Sequence, residues 1–155
     1  ETQFLSSLLR PRANEGAALT EQQIKTRIAR GFNPIDQILS LKDSLKLTQA
    51  QVDSFSAISK YYATTRDSIV TAMARYLVAR RGDYEGEEVR QRWHAAGIAS
   101  YRAYLTEARM VVGLLTPEQR DRGKKLGQMA GFMTINDIKD SDLPFMFRNP
   151  LPSLP

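Results

Sequence analysis

Leu-Thr-x-x-Gln occurs three times in this chain, at 19–23, 47–51 and 115–119. Each copy specifies where a helix starts, and by what chemistry. The threonine hydroxyl can accept from the backbone N–H three residues on, and the glutamine side chain can reach back to the threonine N–H, closing a capping box. The capping positions are Thr20 with Gln23, Thr48 with Gln51, and Thr116 with Gln119. A leucine precedes each cap. Leu19 can staple to Ile24 and Leu47 to Val52, whereas Leu115 is followed by Pro117 at the first helical position, where a missing N–H costs nothing. At ordinary residue frequencies one such pentapeptide is expected by chance on the order of a few hundredths of a time in this length. Asn33-Pro34 supplies a fourth start of the cap-then-proline kind.

Between the second and third caps, apolar residues recur at helical spacing. Val52, Phe55, Ile58, Tyr62, Ile69, Met73, Tyr76 and Leu77 predict one long helix from Thr48 towards Arg81. The stripe thins over 64–68, where a bend or a solvated gap is expected. Gly82 ends the helix behind Arg80 and Arg81, and 82–86 forms a turn. A second helix is predicted over 87–112, with Gly113 as its stop. Two long helices joined by a short turn run antiparallel, so that each buries the other's stripe. Shorter helices are predicted over 20–30, 34–46 and 116–129. The expectation is an all-α chain: a long antiparallel hairpin with flanking helices over 19–130. An extended segment over 1–18 precedes it, and an extended Pro-rich tail over 131–155 follows.

Composition limits what such a fold can do. With 155 residues, 42% apolar and 25% charged, a real core is possible, and no apolar run reaches the roughly 18 residues of a membrane span. The formal charge of +5 is diluted by Glu85, Glu87, Glu88 and Glu107, and no nucleic-acid module is visible, so no nucleic-acid partner is expected. There is no cysteine, which excludes disulfides and thiolate metal sites. His94 is the only histidine, and the methionines do not cluster, so no metal or cofactor is expected; His94 is read as a helix-surface residue. Neither a nucleophile elbow nor a phosphate loop is present, and no histidine is placed to activate a serine, so the chain is read as non-enzymatic. Glu1 opens the chain without a Met or a leader, which is read as either a removed signal segment or a piece of a longer protein.

The segments at 47–51 and 115–119, bracketing a helical hairpin, resemble the LTxxQ family of bacterial envelope proteins that includes Spy and CpxP. The resemblance covers about residues 34–129. It implies a periplasmic or cell-envelope location, an all-helical fold that is often a homodimer, and a chaperone-like role in holding an unfolded client or a protein partner. The stretch 33–48 also looks like helical extensions on TonB-dependent-receptor-like outer-membrane proteins. That likeness implies the alternative of a structural or accessory subunit in a larger membrane-associated assembly. For a holding surface, the residue types point to Arg66, Arg75, Arg102 and Arg109 beside Tyr61, Tyr104 and Trp93, with Phe145 and Phe147 in the tail. Arginine stems and aromatic rings make adaptable contacts that suit interfaces.

Overall fold

The computed structural model describes residues 2–29, 33–139 and 141. Among them the secondary structure is all helical: α1 (Thr2–Leu8), α2 (Glu21–Ile28), α3 (Pro34–Ser40), α4 (Lys42–Leu45), α5 (Gln49–Ala79), α6 (Glu87–Leu114), α7 (Pro117–Lys125) and α8 (Ala130–Met133). Short 3₁₀ turns over Gly127–Met129 and Ile135–Asp137 flank α8. The long pair α5 and α6 forms the antiparallel hairpin. No described helix is long and apolar enough to cross a membrane.

The described residues group into two compact units. One takes 2–29 and 66–100: α1, α2, the second half of α5 and the first half of α6. Its core holds Leu5, Leu9, Leu19, Ile24, Met73, Ala74, Leu77, Tyr84 and Val89. The turn of the hairpin belongs here. Arg81 (φ 50°) and Gly82 (φ 96°) both adopt the left-handed conformation that reverses the chain. A Cβ at Gly82 would meet nothing within 4 Å, so conformation and not space selects glycine there.

The extended reading of 1–18 is corrected at its start. Residues 2–8 are helical because Leu5, Leu8 and Leu9 fall on one face, and Leu5 and Leu9 are fully buried. Each such burial contributes about 2 kcal/mol. Pro11 then prevents the helix from continuing. Arg27 secures this end: its guanidinium donates to the carbonyls of Leu8 (3.3 Å) and Arg10 (2.7 Å) and pairs with Glu15. The backbone N–H of Arg12, and after it the Arg27 guanidinium, hold the Glu15 carboxyl below its ordinary range.

The second unit takes 33–65 and 101–139: α3, α4, the first half of α5, the second half of α6, α7 and α8. Ile35, Ile38, Leu45, Phe55, Leu105, Val111 and Ile135 are among its buried side chains. The 34–46 helix breaks at Leu41, whose N–H donates to the Ile38 carbonyl at 3.0 Å, and Ser40 Oγ donates to the Gln37 carbonyl at 2.6 Å. A Schellman-type end follows at left-handed Lys46, with Leu47 N–H reaching Lys42 O at 2.9 Å. α5 is unbroken helix from Gln49 to Ala79, and over the thin stripe at 64–68 no side chain is buried, as a solvated gap requires; Thr64 Oγ1 donates to Lys60 O within it. Gly113 does not stop α6, which ends one residue later. There Arg120 donates to the carbonyls of Val112 (3.4 Å) and Leu115 (2.9 Å).

The tail reading of 131–155 is corrected at its beginning. Phe132, Met133 and Ile135 are buried, and α8 packs on α7. Gly123 makes that approach possible, since a Cβ there would lie 2.4 Å from Met133 Cε. Residues 140 and 142–155, Phe145 and Phe147 among them, lie outside the described residues. The span 19–130 contributes to both compact units, each with its own buried set.

Candidate functional site

The capping segments show two kinds of chemistry. At Thr20, the hydroxyl accepts from Gln23 N–H (3.2 Å) and Gln23 Oε1 accepts from Thr20 N–H (2.9 Å), a closed box on the surface of the first unit. Leu19 beneath it and Ile24 are both buried.

In the second unit the other two boxes are bonded to each other. Gln51 Oε1 accepts from Thr48 N–H at 3.0 Å, and Gln119 Oε1 accepts from Thr116 N–H at 2.9 Å. The threonine hydroxyls complete both boxes at 3.2 Å. The two amide groups then cross. Gln51 Nε2 donates to Leu114 O and to Gln119 Oε1, both at 2.8 Å. Gln119 Nε2 donates to Lys46 O at 3.0 Å and to Gln51 Oε1 at 2.9 Å. Each glutamine therefore reaches the carbonyl of the residue just before the other motif's leucine, and each amide uses both donors and both acceptor positions. Gln119 is 4% exposed. Gln51 is half-buried, so the network is partly withdrawn from water; such a network is stabilising only when fully satisfied, and this one is.

In these two boxes the crossing uses the amide donors of the glutamine at the third helical position. Glutamate would cap the threonine equally well, but it has no donor for the facing carbonyl. Neither copy read alone predicts the crossing. Glutamine at that position was no signal either, since Gln23 has it and stays local.

The residues predicted for a holding face divide between the units. Arg66, Arg75 and Trp93 belong to the first, and Tyr61, Arg102, Tyr104 and Arg109 to the second. In the first unit Arg66 and Trp93 come together on an open apolar groove whose walls include Ile28, Ile69, Val70 and Ala96. Arg75 is exposed and bonded to Glu21 at 3.2 Å. The closest arginine–aromatic contact in this unit was missed from sequence: the Arg92 guanidinium lies 4.4 Å from the Tyr76 ring centre. His94 is corrected from a surface residue to a half-buried one, with its Nε2 withdrawn from solvent.

In the second unit Tyr61 is 65% exposed and Arg102 is exposed. Tyr104 packs edge-on against Phe132 and beside Tyr101, and burial pushes its hydroxyl up to about 12. Arg109 donates to Ile138 O. Tyr104 and Arg109 thus hold the α8 region in place. Glu107 is buried, and desolvation raises its carboxyl above the ordinary range.

Among the described residues, no three His, Cys, Asp or Glu side chains converge in a way that could hold a metal ion. Comparison of the chain with protein-family models, curated proteins and solved structures finds no match in any of the three.

Proposed function

We propose that this chain is a non-enzymatic helical binding module of the LTxxQ kind, working in the bacterial envelope, that holds a protein partner or unfolded client. The observation carrying this reading is the bonding of Gln51 to Gln119, which makes the two motif copies one structural unit and not two unrelated caps. The groove holding Arg66 and Trp93 supplies the surface. Its walls are apolar, and it has a charged side chain to steer the encounter; the action is adsorption without bond chemistry.

The test is aggregation of a chemically unfolded client in the presence of the full chain. Near-stoichiometric suppression, stronger at low salt and weakened by Trp93→Ala together with Arg66→Ala, is the expected result. Absence of suppression at low salt overturns the client-holding reading.

A further inference from the structure

We draw no further inference here: the strongest candidate, the surface patch where exposed Met110 and Leu114 flank Gly113 at the end of α6 in the second unit, is an apolar helix face, and nothing in the structure shows what covers it.

Discussion

The cap at Thr20 and the caps at Thr48 and Thr116 share one five-residue pattern but are used differently. In the first unit the pattern stays local: one threonine, one glutamine, two hydrogen bonds and solvent around them. In the second, two copies 68 positions apart at their glutamines lock each other, and each amide group is fully used. A local cap is worth about 1 kcal/mol. A part-buried crossed pair stakes more, because losing one member strands the partners of the other.

The largest test of that difference is Gln119→Ala. It leaves Thr116 N–H and Lys46 O without their partner and should cost about 3 kcal/mol in chemical denaturation. Gln23→Ala should cost about 1 kcal/mol or less. Gln119→Glu sharpens the contrast. It keeps the acceptor but loses both donors, and should cost about 2 kcal/mol, whereas Gln23→Glu should be neutral or slightly stabilising beside a helix N-terminus. Equal effects of glutamate at 119 and 23 would erase the distinction between the regions.

Gly123→Val probes how tightly the second unit is assembled around the same helix. Its added bulk meets Met133 and should cost about 2 kcal/mol. In the first unit the matching probe is Arg27→Ala, which unties the end of α1; amide exchange over 2–9 should then accelerate while that of α5 does not.

The smallest expected effect concerns Glu107. Its folded-state carboxyl is raised by desolvation, so its contribution to stability is most favourable below the ordinary carboxylate range and declines as pH rises through the raised value. Glu107→Gln should therefore stabilise the protein at neutral pH by less than ~1 kcal/mol, and that gain should vanish near pH 4, as read from melting curves at both pH values.

What could be read from the sequence follows the range of the forces involved. Caps, the hairpin turn at Gly82 and the long amphipathic helices are set by neighbours within a few residues, so they were legible. The crossing of Gln51 and Gln119 depends on where α7 lands, which no local pattern states. Helix α1 was hidden because Pro11 and Gly16 drew the reading toward extended chain, although Leu5, Leu8 and Leu9 already carried helical spacing. The break at Leu41 has no proline or glycine to announce it. For the arginines and aromatics, residue type was readable but helix rotation was not: Arg66 and Trp93 share a groove, whereas Arg109 and Tyr104 pack within the second unit.

The most direct measurement is a double-mutant cycle on Gln51→Ala and Gln119→Ala by urea denaturation. Removing the second glutamine should cost at least ~1 kcal/mol less once the first is gone, because they share partners. Costs that simply add, within ~0.4 kcal/mol, would mean that the two motifs are independent caps and that no crossed junction holds them together.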